Sequence, residues 1–272
     1  MLRMRVLLKA KLCLVLYAST SFAHDLYLVS GIKAAESKVC ARIGEEFPES
    51  TNAVTADRLN SFSHRNSEGV ITELTGTAQG KQLCAPLTVR TASVVEMTVQ
   101  PRFIKLEAKD FGPYIEGEGL IAVQKLRRER NKDNAPGREL YSRYAKLLIG
   151  SLGAAASKPV GHALEMVPSK DPRELSPREP LQVTVLFKGK PLPDAQVSAV
   201  YAGAKMQGHS YPISSRTDSD GQAVLRLDRA GLWYARIIYM RPAEDDPEVD
   251  WRSYFATLTF EIPSTAATTS PR

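Results

Sequence analysis

Histidine is scarce in this chain, four in 272 residues, and one of the four, His24, directly follows Ser21-Phe-Ala23, which carries small residues where signal peptidase needs them. Cleavage after Ala23 makes His24 the first residue of the exported chain. Its free α-amine and its imidazole then chelate one metal ion together, and a single further His completes a three-nitrogen site for Cu(II) or Ni(II). The loop Lys205-Met-Gln-Gly-His-Ser210 offers Met206 and His209, donors that suit copper or nickel better than magnesium. His64, in Ser61-Phe-Ser-His-Arg-Asn66, is the other candidate partner. The expected metal donors are therefore His24, His209, Met206 and His64, with Ni or Cu as the cofactor.

Other residues with reactive side chains point to less. Of three cysteines, Cys13 lies in the segment expected to be removed, leaving Cys40 and Cys84, which in an oxidising compartment are expected to form a disulfide. Asp218-Ser-Asp-Gly221 resembles the start of a calcium loop but lacks its third acid and terminal Glu, so it reads as a turn between strands. Glu244, Asp245, Asp246, Glu248 and Asp250 read as a solvated acidic loop between Pro242 and Trp251. A Gly-x-Ser-x-Gly elbow, a phosphate-cradling loop, a His-Glu-x-x-His pair and a dinucleotide fingerprint are all missing from the sequence. The expectation is a protein that is not an enzyme, with a copper-dependent oxygenase built on His24 as the catalytic alternative.

Composition sets the compartment and excludes other classes. Met1 to Lys11 is basic, Leu12 to Ala18 is apolar and the small residues follow, the three zones of a secretory signal. The apolar run is far shorter than the ~20 residues that span a bilayer. A periplasmic or secreted protein with no membrane span after cleavage is expected. The net charge of +6 falls by four, to +2, once Arg3, Arg5, Lys9 and Lys11 are set aside. A nearly balanced chain without a basic patch gives no reason to expect nucleic-acid binding.

The elements that must position these residues are mostly strands. Asp25 to Ser30, Ser37 to Ile43 and Ser93 to Val99 are rich in β-branched and aromatic residues, and a first β-sandwich is expected over 24–100. Leu140, Tyr141, Tyr144, Leu147 and Leu148 form an apolar stripe at helical spacing, which predicts a helix over Arg138–Ile149. Leu120–Arg130 is a second helix candidate, Asn134–Gly137 a turn, and the pair predicts a helical hairpin within 101–150. Gly150–Pro159 reads as a linker. Leu181, Val183, Val185 and Phe187, and later Tyr254, Ala256, Leu258 and Phe260, alternate with period two. They predict a C-terminal immunoglobulin-like sandwich over 160–262, followed by a disordered tail over 263–272. The fold class expected is mainly β, two immunoglobulin-like β-sandwich domains with a helical hairpin between them.

Several of these strings together resemble a known family. Ala23-His-Asp-Leu-Tyr-Leu28, Phe47-Pro-Glu-Ser50, Arg102-Phe-Ile-Lys-Leu-Glu107, Tyr141-Ser-Arg-Tyr-Ala-Lys146 and Asp250-Trp-Arg-Ser-Tyr-Phe-Ala-Thr-Leu-Thr-Phe260 are similar to a family of exported bacterial proteins of unknown function, catalogued with the substrate-specific region of nickel uptake systems. Gly189 to Val197, Thr217 to Gly221 and Gly231-Leu-Trp233 resemble the transthyretin-like or carboxypeptidase-regulatory sandwich. The resemblance implies a periplasmic protein that binds nickel, cobalt or copper or assists its uptake, with a metal ion or a metal-uptake membrane component as partner and His24 as the residue that carries over. The alternative is a sandwich module that binds a protein or glycan without metal.

Overall fold

Residues with strand preference recur through most of this chain, and the computed structural model, which describes residues 24–33, 36–87, 92–176, 178–205 and 210–264, is mainly β. The expected signal segment, Met206 and His209, and the tail from residue 265 lie outside the described residues. The first half of the chain forms β1 (Asp25–Lys33), β2 (Glu36–Gly44), β3 (Leu59–Asn66), β4 (Ile71–Glu73), β5 (Thr77–Gln79), β6 (Gln82–Pro86) and the long β7 (Ser93–Leu106). Helices α1 (Ala108–Gly117) and α2 (Ile121–Glu129) follow, then β8 (Gly137–Ile149) and β9 (Leu164–Pro168). The rest is β10 (Leu181–Phe187), β11 (Lys190–Pro191), β12 (Gln196–Tyr201), β13 (Ile213–Arg216), β14 (Gln222–Leu225), β15 (Gly231–Pro242) and β16 (Trp251–Ile262). No helix among the described residues is long and apolar enough to cross a membrane.

These strands make three open sheets. One has the order β1-β2-β6-β5; a second is built around β10, with β9, β14 and β11; the third has eight strands in the order β13-β12-β15-β16-β8-β7-β3-β4. Within the large sheet every pair is antiparallel except β16 with β8, which run parallel from Trp251 opposite Glu139 to Thr259 opposite Leu147. Strands from both halves of the chain therefore share this sheet. One of its faces packs Trp233, Ala235, Leu258 and Phe260 against Leu164, Met166, Leu181 and Val183 of the second sheet. The opposite face packs Val95, Met97, Ala145 and Leu147 against Leu26, Leu28, Val39 and Leu83 of the first sheet, and Ile238, Trp251 and Phe255 against Phe111, Tyr114 and Ile115 of α1. This is sheet-on-sheet stacking of the sandwich kind, with the two helices laid on one side.

The helix expected over Arg138–Ile149 is instead strand β8, and the hairpin is formed by α1 and α2. The reason is position. β8 lies in the middle of the large sheet with a layer on either side, so both of its faces carry apolar residues and the period-two signal disappears. Ala145 and Leu147 face one core while Leu148, with Tyr144 beside it, faces the other. Read as one string, those positions happen to fall at helical spacing. The Leu120–Arg130 helix is α2, with Val123 buried. The stretch expected as a linker folds into a 3-10 turn over Gly153–Ser157 and packs Leu152 and Ala156 into the main core.

A covalent link fixes strand pairing within the first sheet, and a steric detail fixes α1 on the large one. Cys40 on β2 stands opposite Cys84 on β6 and the two form a disulfide, as expected. Gly137, at the start of β8, has no room for a Cβ because the ring of Phe111 fills that space. The Asp218–Gly221 segment is a turn: Asp218 Oδ1 accepts from the backbone of Asp220 and Gln222, and Gly221 has φ +71°.

Candidate functional site: a cavity at the start of β1

Alternation along β8 sets Glu139, Tyr141 and Arg143 on one face, the face that continues into the core as Ala145 and Leu147. In register beside them, β16 places Ser253 opposite Tyr141 and Phe255 opposite Arg143. On the other side the pairing of β7 shifts between Val99 and Arg102, and this bulge brings Arg102 opposite Tyr141 and Ile104 opposite Glu139. Apart from Ser253, these side chains wall a cavity of about 330 Å³ together with Tyr114 of α1 and with His24, Asn52 and Ala53. That volume is at the lower end of the ~300–1,000 Å³ typical of small-ligand sites.

Glu139 is 2% exposed, and its Oε1 accepts hydrogen bonds from the Tyr114 hydroxyl at 3.2 Å and from the Ser253 hydroxyl. Burial pushes its carboxyl up to about 7, against the pull of those two hydroxyls and of the Arg143 charge. Two residues along the strand, the Arg143 guanidinium lies 4.8 Å from the Tyr141 ring centroid and 5.9 Å from that of Phe255. Its Nε is buried and has no hydrogen-bond partner among the described residues.

His24 sits at the rim with its side chain 12% exposed. Its Nε2 is 3.7 Å from Glu45 Oε1 and its Nδ1 3.4 Å from the Thr51 hydroxyl. The next residue, Asp25, turns inward to a buried ionic triad, in which Arg236 of β15 meets both Asp25 and Glu118. The Tyr234 hydroxyl donates to Asp25 at 3.0 Å, and the Tyr211 ring lies 4.6 Å from the guanidinium. Burial raises the Asp25 carboxyl against the attraction of Arg236. Burial also opposes the arginine charge, but the two carboxylates outweigh it and hold Arg236 well above its ordinary value. The start of β1 is thereby pinned to β15 and to the end of α1.

The other expected metal donors are not gathered around His24. His64 is buried on β3 opposite Val95 and Thr72, with Nδ1 unpartnered among the described residues, and it is not part of the cavity wall. Met206 and His209 lie outside the described residues. His162 stacks on Tyr144 at 5.4 Å and is pushed down to about 4 by burial and by Lys146. Lys146 is itself buried against Glu165 at 3.3 Å. No three His, Cys, Asp or Glu side chains among the described residues are grouped to hold a metal ion. As described, this donor set does not make a closed metal site: the one carboxylate near His24 faces Nε2, while an α-amine chelate would use Nδ1.

Sequence reading overlooked Glu139, Arg143, Tyr114 and Phe255, and took Tyr141 for helix core. The available signal was charge at every second position inside an apolar run, Glu139 and Arg143 flanking Tyr141, which a solvated helix face explains equally well. The acidic loop also proved partly structural, since Asp250 accepts from the backbone and the guanidinium of Arg138 at 3.0–3.1 Å.

No curated protein matches the chain significantly. A family model described as a domain of unknown function, DUF4198, matches residues 21–241, which is most of the chain, and the protein belongs to that family.

Proposed function

We propose that this is an exported, non-catalytic binding protein whose ligand is a small polar molecule, of the size and character of a monosaccharide, held in the cavity beside His24. The observation that carries the reading is the convergence of aromatic rings and polar groups on one partly open cavity: Tyr141 and Phe255 on one wall, and Arg102, Arg143, Asn52 and Glu139 around it. Pockets of this kind place few polar groups among apolar ones to fix a ligand's orientation. The rings are held by the sheet itself, with Tyr141 and Phe255 packed edge to face at 5.8 Å, so little ordering is left to do on binding. The test is calorimetric titration of the mature chain with glucose, galactose and glucuronate, repeated on Phe255→Ala. Saturable binding of one of these, weakened by the substitution, supports the reading; no binding of any of them removes it.

A second reading is favoured by Glu45. A carboxylate beside Nε2 orients an imidazole whose other nitrogen is to bind a metal, an arrangement common behind histidine ligands. With the α-amine freed by cleavage after Ala23, His24 would bind nickel, cobalt or copper as an uptake accessory, the role implied by the resemblance to nickel-uptake proteins. Titration of the mature chain with Ni(II) and Cu(II), compared with His24→Ala and with a form extended by one residue before His24, tests it. Equal affinity in all three rules it out.

A further inference from the structure

Resting on the cavity reading above, we propose that the ligand carries a carboxylate and that Arg143 is the residue that binds it. Several guanidinium groups in this fold have oxygen partners: Arg236 has Asp25 and Glu118, Arg138 has Asp250, and Arg127 donates to the carbonyls of Asp133 and Ala135. Arg143 differs. It lies in the middle of β8, its Nε is shut off from solvent, and its contacts are the faces of Tyr141 and Phe255, which stabilise the charge but accept no aligned hydrogen bond. A half-buried arginine whose Nε is left in that state is unfavourable for the fold on its own. The geometry makes sense once a planar anion lies in the cavity that Arg143 lines, because a carboxylate can meet a guanidinium with two parallel bonds.

The rest of the wall fits the same anion. Arg102, re-aimed by the bulge in β7, adds a second positive charge across from Tyr141. The acid on the same strand face, Glu139, feels the Arg143 charge, but its Oε1 is occupied by the Tyr114 and Ser253 hydroxyls and it makes no hydrogen bond to Arg143 among the described residues. While protonated it can donate from its carboxyl to the same ligand. The chemical class is thus a small organic acid or acidic sugar with one carboxylate.

Side-chain NMR of the mature chain labelled with nitrogen-15 in arginine reads this directly, the Arg143 Nε–H signal being assigned by its loss in Arg143→Lys. Glucuronate is expected to shift that signal saturably and acetate to shift it more weakly, at constant ionic strength, while glucose leaves it in place. Arg143→Met is expected to weaken glucuronate binding by at least about tenfold. It is also expected to raise the melting temperature of the ligand-free chain, which a purely structural arginine would not do. Should Arg143→Met fold poorly, Arg143→Lys gives the same comparison, with an intermediate loss expected. If calorimetry shows glucose binding that Phe255→Ala weakens and Arg143→Met leaves glucuronate affinity unchanged, the carboxylate assignment is wrong and the cavity reading survives. If phosphate shifts Arg143 as strongly as glucuronate, the assignment to carboxylates is also wrong. If none of the probes perturbs the cavity, both fall.

Discussion

Arg236 Nε lies 2.7 Å from Asp25 Oδ2, an ion pair between β15 and the first strand in which both side chains are at most 5% exposed. The contact is ionic without hydrogen-bond alignment at Nε, and the same guanidinium donates to Glu118 from Nη1 at 2.5 Å and Nη2 at 3.2 Å. One cation thus offsets two buried carboxylates, and removing it leaves both uncompensated. Arg236→Met is expected to destabilise the chain by about 3–5 kcal/mol in urea unfolding. Asp25→Asn is expected to be milder, because Glu118 still neutralises the guanidinium. Equal, small effects of the two substitutions would mean the triad does not hold β1.

Glu139 makes stability depend on pH. Its carboxyl titrates at about 7 in the folded chain against 4.5 as the ordinary value, so the folded state binds this proton more tightly than the unfolded state. The contribution is fully present below about pH 4.5 and is lost as the pH rises to about 7. Glu139→Gln, which cannot ionise, is expected to flatten that slope and to be the more stable form above pH 7, by up to about 3 kcal/mol. Urea midpoints measured across this range, with the wild type and the variant falling in parallel, would contradict it.

Ligand affinity should follow the same proton. Above neutral pH an ionised Glu139 places a negative charge beside Arg143, with Glu118 adding to it from the end of α1 and Tyr114 remaining neutral, its hydroxyl raised well above its ordinary value by burial. Glucuronate is expected to bind more weakly at pH 8 than at pH 6, and Glu139→Gln to remove most of the difference. Calorimetry at the two pH values checks this, a flat profile in the wild type being the contrary result.

Much of the fold could be read from residue patterns where one face of a strand meets solvent or a partly polar layer. β10 is such a case: Leu181, Val183 and Val185 are buried and the positions between them half-buried. β8 is the opposite case. It is covered on both faces, with Glu139 and Lys146 buried and Arg143 half-buried, so its apolar residues fall on both sides and its charges look like a solvated helix face. The cavity was hidden for the same reason. Its wall is assembled from β7, β8, β16 and α1, and only the register of a parallel pair across more than a hundred residues of chain brings Phe255 to Arg143. His24 was conspicuous as a residue, whereas Glu45 and Thr51, which face its two ring nitrogens, lie in a loop that no periodicity marks.

Gly137 and the disulfide test the layer packing. The Phe111 ring fills the space a Cβ would take at Gly137, and Phe111 is fully buried, so Gly137→Ala is expected to destabilise by about 1–3 kcal/mol. Reducing the Cys40–Cys84 bond, which joins residues 44 apart in sequence, is expected to remove about 4 kcal/mol if chain entropy dominates. Thermal unfolding with and without reductant, and of the Gly137→Ala chain, measures both. A melting temperature unchanged by reductant would show that the β2–β6 pairing stands without its covalent link.

The central claim is that the space between β7, β8, β16 and α1 is a binding site and that Arg143 anchors what enters it. A crystal structure of the mature chain soaked with glucuronate tests it most directly. The expected result is a sugar ring packed on Tyr141 and Phe255, its carboxylate paired in two places with the Arg143 guanidinium. An unfilled cavity at saturating glucuronate, or a sugar bound at another surface while Arg143 keeps its place between the rings, would contradict it.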